Sequence, residues 1–305
     1  KKIHILRVGV VVIGLGAGVY FLTQNQQDEA AQPTQNLEGI EAGPPDSEGV
    51  GGDQEPVDEA KTVIGTSLQM RDITAYRYGN GDTEILFVGG IHGGYSWNTA
   101  LVAYELMDYL EVNPNVIPNN IRVTVIPVLN PDGLAKVTGT AGRFVPSDVL
   151  PSKDTQISGR FNANGVDLNR NFDCDWQAKG TWQNTTVSGG SKAFSEQESQ
   201  AFKNYIETHN PDAVVAWYSA AGGVFASNCH NGVSPKTRVL TNTYAAASGY
   251  KAYDEFDFYE ITGDMTNWLA KKNIPAISVL LSTHQGTEWS KNEAGIEALL
   301  KHYAE

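Results

Sequence analysis

Four short stretches of the chain are rich in apolar and β-branched residues, which is typical of strands buried on both faces of a sheet. Between them, apolar residues recur at the helical period, as in the segment from Leu101 to Leu110. Strands that alternate with helices predict a three-layer α/β domain with a mixed, mostly parallel sheet flanked by helices. The predicted strands are 84–88, 123–128, 213–217 and 276–281, and a closing helix covers 293–303.

Capping residues predict where three of the helices begin. Asn98 or Thr99 is placed to cap the first helix, and Asp264 follows a glycine at the start of a helix that runs to about residue 272. Ser195 and Glu198 have the spacing of a capping box ahead of an apolar helical pattern. Ligand sites in such a fold lie beyond the carboxyl ends of the strands.

The chain ahead of these elements has a different character. Basic residues flank an apolar run at 8–22, so residues 1–22 are interpreted as an export signal that stays as a membrane anchor. The globular domain then lies outside the cell membrane, or is secreted if the signal is cleaved. The acidic stretch at 23–62 predicts a disordered linker, and the folded domain covers 63–305.

Charge and cysteine content narrow the possible partners. The formal net charge is −13 and no basic tract stands out, which argues against a nucleic-acid partner. Cys174 and Cys229 are the two cysteines of the chain. In an exported protein they predict a disulfide, with two separate buried thiols as the alternative.

Four motifs lie at the predicted strand ends or in the loops that follow them. They are Gly-Gly-Ile-His-Gly-Gly-Tyr-Ser-Trp-Asn at 89–98, Ile-Pro-Val-Leu-Asn-Pro-Asp-Gly at 126–133, Arg-Phe-Asn-Ala-Asn-Gly-Val-Asp-Leu-Asn-Arg-Asn-Phe at 160–172, and Gly-Ser-Lys-Ala-Phe-Ser-Glu-Gln-Glu at 190–198. In this order they resemble the zinc carboxypeptidases related to pancreatic carboxypeptidases A and B. The resemblance covers nearly all of 63–305 and implies a zinc-dependent peptide hydrolase fold.

The resemblance also implies a metal centre, and this chain departs from it. The family holds zinc with a His and a nearby Glu after one strand and a second His after another, and a further Glu is the base. His92 matches the first ligand. The Glu is expected three or four positions later, where Tyr95 and Ser96 stand, and Ser96 is taken as the substituted position; Tyr218 stands at the position of the second His. Leu280, at the position of the base, cannot accept a proton. The resemblance therefore implies zinc in the family, no zinc or only weak zinc here, and no intact catalytic set.

The residues that hold the substrate in the family are retained. Arg160, Asn169 and Arg170 match the groups that bind the terminal carboxylate and the developing oxyanion. Tyr259 matches the mobile tyrosine that covers bound substrate, although Tyr253 is also nearby in sequence. The pocket is therefore expected to keep its anion clamp.

Three further residues have more than one interpretation. Asp264 either favours its helix N-terminus or lines the side-chain pocket, where it would select a basic or amino-bearing group. His230 and His284 are candidates for replacement zinc ligands, but their spacing does not support that role.

Two classes of function follow from these residues. The first is a catalytically inactive carboxypeptidase-like domain that binds the C-terminal carboxylates of peptides or peptidoglycan stems. The second is an active zinc carboxypeptidase with replacement ligands. Loss of the base alone removes a factor of about 10²–10⁴ in rate, which favours the first. The three isolated changes, at Ser96, Tyr218 and Leu280, are surrounded by intact motifs, so they also fit engineered inactivation of an active parent.

Overall fold

The computed structural model describes residues 60–305, which form an α/β domain. The predicted anchor at 1–22 and the predicted linker up to residue 59 lie outside the described residues. The first strand begins at Lys61, slightly ahead of the predicted start of the domain. Within the part of the chain that the structure describes, no helix combines the length and the hydropathy needed for a membrane span.

Strands and helices alternate along most of the described chain. The strands are β1 (Lys61–Thr66), β2 (Asp72–Tyr78), β3 (Thr83–Val88), β4 (Ile121–Ile126), β5 (Lys179–Trp182), β6 (Thr185–Ser188), β7 (Ala213–Ser219), β8 (Gly223–Ala226), β9 (Ala252–Tyr253) and β10 (Ala276–Leu281). The helices are α1 (Trp97–Val112), α2 (Pro131–Thr138), α3 (Lys153–Ser158), α4 (Gln197–His209), α5 (Pro235–Ser248), α6 (Met265–Lys271) and α7 (Trp289–Ala304).

One mixed sheet organises the described domain. Its strand order is β1-β2-β4-β3-β7-β10-β8-β9, and β5 with β6 forms a separate hairpin. The central strands β4, β3, β7 and β10 are parallel to one another. Antiparallel pairing joins β2 to β4, β1 to β2 and β8 to β10. The prediction of a mixed, mostly parallel sheet with flanking helices is confirmed.

Each face of the sheet carries its own apolar core, because successive residues of a strand point to opposite faces. On β3, Ile85 and Phe87 belong to the core that includes residues of α1, α5 and α7. The alternate residues Leu86 and Val88 belong to the core that includes residues of α4 and α6. Helices therefore cover both faces, and the loops at the strand ends are left to form a site.

The predicted capping box at the start of α4 is wrong. The N-cap residue is Glu196, and its side chain caps no backbone N–H. The Ser195 hydroxyl instead donates to Glu196 Oε1 at 2.6 Å, and Glu198 Oε2 accepts from Asn162 Nδ2 at 3.2 Å. Partners from the 160–172 motif have taken the place of the local cap.

Two other predicted helix starts have opposite outcomes. Helix α1 begins at Trp97 with Ser96 as its N-cap residue, so Asn98 and Thr99 lie inside the first turn and cap nothing. Asp264 does cap α6, since its side chain accepts from the backbone N–H of Asn267 at 2.8 Å.

The predicted disulfide between Cys174 and Cys229 is confirmed. The two residues are bonded, with their Cα atoms 6.1 Å apart. The bond ties the segment that follows the 160–172 motif to the loop after β8. It therefore fixes one side of the region where the predicted site residues lie.

Candidate functional site

The predicted site residues meet at the carboxyl ends of the central strands. His92 follows β3, Tyr218 lies near the end of β7, and Leu280 lies near the end of β10. They line a cavity of about 800 Å³. The other predicted residues that line it are Arg160, Asn169, Arg170, Tyr259 and Asp264. Ser96, by contrast, is fully buried at the start of α1 and does not reach the cavity wall.

His92 keeps the surroundings of a metal-binding histidine. Its Nε2 lies 3.4 Å from Asp167 Oδ1, and carboxylates often orient a ligating imidazole in this way. Burial, together with the nearby charge of Arg160, lowers the pKa of His92 from 6.5 to about 4. The ring is therefore neutral, and neither of its nitrogens makes a hydrogen bond of ordinary geometry among the described residues.

The remaining donor set does not fit a zinc ion. Tyr218 is buried, and its hydroxyl donates to Asn169 Oδ1 at 3.2 Å. Burial, with the carboxylate of Asp264 nearby, raises the pKa of Tyr218 well above its ordinary value, so the phenol stays protonated. Ser96 offers a neutral hydroxyl. One imidazole and two neutral hydroxyls fall short of the three strong ligands that zinc requires.

Neither of the other proposed zinc ligands completes a metal centre. His230 lies at the surface, where its Nε2 is 2.7 Å from Asp175 Oδ1. In residues 60–305, the cluster with metal-ligand geometry is Cys174, Cys229 and His230, but both of its cysteines are in the disulfide. His284 lines the cavity and contacts Ser219 through Nδ1.

The general-base position is apolar. Leu280 pairs with Tyr218 in the register of β10 and β7, and it is 8% exposed at the cavity wall. A leucine side chain can neither take a proton nor position a water molecule. This part of the cavity wall therefore favours apolar contact with a ligand.

Arg160 is already paired. Its Nε donates to Asp167 Oδ2 at 2.8 Å, and its Nη2 lies 2.8 Å from the same oxygen. Its guanidinium lies 4.4 Å from the ring centroid of Trp182. Burial alone would raise the pKa of Asp167, but Arg160 and His92 together hold it well below its usual range. Because this carboxylate neutralises Arg160, the charge of Arg160 is less available to a ligand.

Arg170 carries a buried charge without a counter-ion. It is 1% exposed, and no carboxylate of the described residues lies within 4.0 Å of its guanidinium. Nε and Nη2 donate to Thr181 O, and Nη1 donates to Asn169 O at 2.7 Å. One hydrogen on each of Nη1 and Nη2 therefore remains for a ligand. A buried guanidinium strongly favours an anionic partner.

Asn169 and Asp264 hold each other in place. Asn169 Nδ2 donates to Asp264 Oδ2 at 2.7 Å, while its Oδ1 accepts from Tyr218 and from the Met265 N–H. Asp264 thus caps α6 and also lines the cavity. The helix-terminus interpretation and the pocket-lining interpretation of its position therefore both hold.

The two candidate tyrosines are clearly separated. Tyr253 belongs to β9 and stacks on Phe225, with ring centroids 4.6 Å apart. Tyr259 lines the cavity, and the Arg170 guanidinium lies 6.0 Å from its ring centroid. Of the two tyrosines, Tyr259 is the one placed to cover a ligand held at Arg170.

Sequence reasoning missed Trp182 of the cavity wall and the buried Asp167 that pairs with Arg160, and it named Tyr95 only as an alternative position for the glutamate ligand. Tyr95 packs its ring 4.9 Å from Trp182 and 4.5 Å from His284, which extends an aromatic wall beside Arg160. Asp167 and Tyr95 were visible within the motifs, but nothing in the motifs shows what they contact. Trp182 lies on the β5–β6 hairpin, a short element with a weak sequence signal.

A buried carboxyl group next to the 160–172 motif gives a prediction about pH. Glu198 is fully buried, and burial raises its pKa from 4.5 to about 7. The folded state therefore keeps the proton that the unfolded state loses, so stability falls as pH rises from about 4.5 to about 7. We expect Glu198→Gln to raise the free energy of unfolding at pH 8 by about 1–3 kcal/mol.

Urea unfolding at several pH values tests this expectation. The gain from Glu198→Gln should shrink steadily as the pH falls below about 7. Glu207→Gln, on the exposed side of the same helix, is the matched control and should change little at any pH. A gain that is equal at pH 5 and pH 8 would contradict the raised pKa.

Comparison with known proteins agrees with this fold. The sequence model of the family described as zinc carboxypeptidase matches residues 57–299. The chain is 29% identical over 164 residues to a zinc carboxypeptidase of Simulium vittatum, across 51% of this chain and 51% of that protein. It is 24% identical over 217 residues to gamma-D-glutamyl-L-diamino acid endopeptidase 1 of Lysinibacillus sphaericus, across 65% of this chain and 54% of that protein. The chain thus spans about half the length of these two relatives.

A solved structure supports the architecture. The crystal structure of murein-tripeptide amidase MpaA from Escherichia coli O157 aligns with a TM-score of 0.56 at 20% sequence identity. The alignment covers 79% of this chain and 92% of that chain. At this identity the likeness shows a shared fold.

Proposed function

Because the chain belongs to the zinc carboxypeptidase family, we propose that its domain binds the free C-terminal carboxylate of a peptide without hydrolysing it. The observation that carries this proposal is Arg170, a buried guanidinium with two uncommitted hydrogens and no carboxylate partner among the described residues. A carboxylate matches a guanidinium in charge and in planar geometry. Tyr259 stands beside this anion site.

Two features support binding without turnover. The His92, Ser96 and Tyr218 donor set does not fit zinc, and Leu280 supplies no base. The cavity nevertheless has a volume of about 800 Å³, two arginines and an aromatic wall. A cavity that retains recognition groups without catalytic groups suits a binding protein.

Cell-wall peptides are the ligand class that we favour. The names of two similar proteins, a murein-tripeptide amidase and a gamma-D-glutamyl-L-diamino acid endopeptidase, describe action on such peptides. We further propose that residues 1–22 export the domain and tether it to the membrane. The basic flank and the apolar run support this placement, which would put the domain close to the cell wall.

Calorimetric titration tests the carboxylate proposal. The probes are N-acetylated tripeptide acids that differ in their last residue, a gamma-D-glutamyl-diamino acid peptide, and the carboxamide of the tightest ligand. We expect the carboxamide and the Arg170→Met variant each to weaken binding by at least about 10-fold, because a charged hydrogen bond is lost. Arg143→Met, at a surface arginine paired with Asp108, is the control and should bind normally.

The same samples test the absence of turnover. After long incubation with added zinc, mass spectrometry should find every probe intact. Cleavage that a chelator abolishes would overturn the binding-only proposal in favour of an active carboxypeptidase. Equal affinity for acid and carboxamide would show that Arg170 is not a carboxylate clamp.

A further inference from the structure

A chain of hydrogen bonds fixes the orientation of an imidazole in the cavity. Asn98 is fully buried, and its Nδ2 donates to the carbonyls of Thr283 at 2.8 Å and Gly286 at 2.9 Å. Both amide hydrogens are therefore used, and Asn98 Oδ1 can only accept. The Ser219 hydroxyl lies 3.1 Å from that oxygen and 2.9 Å from His284 Nδ1.

The single proton of Ser219 decides the tautomer of His284. If the hydroxyl donated to His284, its oxygen would face Asn98 Oδ1 at 3.1 Å with no hydrogen between the two acceptors. The favourable arrangement is that Ser219 donates to Asn98 and accepts from His284 Nδ1–H. The other ring nitrogen, Nε2, then carries a lone pair.

That lone pair is available to a ligand. His284 lines the cavity, and its Nε2 has no hydrogen-bond partner among residues 60–305 and is not sealed from solvent. Tyr95 packs against the ring at 4.5 Å and restricts its rotation. Burial, then the charge of Arg160, lowers the pKa of His284, which keeps the ring neutral and able to accept.

We propose that His284 Nε2 accepts a hydrogen bond from a backbone amide N–H of the bound peptide. This inference rests on the proposed function, because it needs a peptide anchored by its carboxylate at Arg170. Leu280 offers such an N–H no acceptor, and Asp264 is already engaged with Asn169 and with its own helix. Ser219 and Asn98 act as positioning residues that hold the tautomer.

The first test needs no ligand. Long-range nitrogen–proton NMR of histidine-labelled protein should show His284 protonated at Nδ1 and unprotonated at Nε2. In Ser219→Ala, which removes the acceptor of the Nδ1 proton, this preference should weaken. A wild-type ring protonated at Nε2 would overturn the inference, because no lone pair would face the cavity.

The second test uses the tightest tripeptide acid and its depsipeptide analogues, each with one backbone N–H replaced by oxygen. On the wild-type protein one analogue should bind about 3- to 10-fold more weakly, as expected for one lost hydrogen bond. On His284→Phe, which keeps the ring packing on Tyr95, the same analogue should bind as well as the parent acid. His284→Gln should restore part of the discrimination, since it returns an acceptor.

The outcomes separate this inference from the proposed function. One outcome is that the depsipeptides lose the same factor in affinity on the wild-type protein and on His284→Phe, and another is that they lose no affinity on either. Either result would show that His284 does not accept a hydrogen bond from an amide N–H. In that case a preserved difference between acid and carboxamide leaves the Arg170 clamp standing. If the acid and the carboxamide also bind equally, both proposals fail.

Discussion

The double variant Ser96→Glu, Tyr218→His is expected to bind about one zinc ion per chain, whereas the unmodified protein is expected to bind zinc weakly or not at all. The rings of His92 and Tyr218 have centroids 5.6 Å apart, close enough for two imidazoles to share one ion. Ser96 lies at the start of α1, where its backbone N–H is 3.4 Å from the carbonyl of His92. Asp167 is already in place to orient His92. The scaffold therefore supplies one ligand and its orienting carboxylate, and the Ser96→Glu side chain must extend beyond the Ser96 hydroxyl, which does not line the cavity.

Metal analysis and thermal unfolding measure this result together. Without metal, the Ser96→Glu carboxylate sits in a buried site without a partner, so the double variant should be less stable than its parent. Zinc at about 1,000 times its dissociation constant should then add about 4 kcal/mol of stability. Ser96→Gln with Tyr218→Phe matches the size of the changes without charged or imidazole ligands, and zinc should not stabilise it. A double variant without zinc would show that positions 92, 96 and 218 do not share one metal site.

The central sheet was predictable because its strands are buried on both faces. Strands β3, β4, β7 and β10 are nearly continuous apolar runs, and every one of their ends lies within two residues of the predicted end. The outer strands of the sheet, β1, β2, β8 and β9, were missed. Strand β2 mixes buried and half-buried positions, and β9 has two residues, so neither has a clear apolar pattern.

The capping box failed for a different reason. Its Ser195 and Glu198 have the right local spacing, but Asn162 and Asn171 compete for them from distant parts of the chain. A local pattern cannot show which of two partners wins when the competitor arrives through tertiary packing. Asp264 is the opposite case. Its cap was predicted correctly, because its tertiary partner Asn169 binds one carboxylate oxygen and leaves the other to cap the helix.

The candidate site was predictable as a set of positions and not as a set of contacts. The family resemblance placed His92, Arg170 and Leu280 in one pocket, and all three line the cavity. Nothing in the sequence indicated that Asp167 neutralises Arg160 while Arg170 stays unpaired. These differences arise from side-chain directions, which the order of residues along the chain does not specify.

Adding Leu280→Glu to the zinc-binding double variant is expected to produce carboxypeptidase activity. Leu280 pairs with Tyr218 in the sheet register and lines the cavity, so a carboxylate there faces the rebuilt site. A bound zinc ion would supply a Lewis acid and an acidified water, and the new carboxylate would supply the base. General-base catalysis contributes about 10²–10⁴ in rate, so the triple variant should exceed the double variant by that factor.

Release of the C-terminal residue from N-acetylated tripeptide acids measures this gain, and the variants separate its causes. Leu280→Gln in the zinc-binding background has nearly the same shape as Leu280→Glu but no base, so it should stay at the level of the double variant. Leu280→Glu alone should be inactive, because a base without zinc has no acidified water to act on. Arg170→Met in the triple variant should reduce activity mainly by raising KM, since the carboxylate clamp acts on the bound peptide before reaction. Equal rates for Leu280→Glu and Leu280→Gln in the zinc-binding background would show that a carboxylate at position 280 does not act as the base.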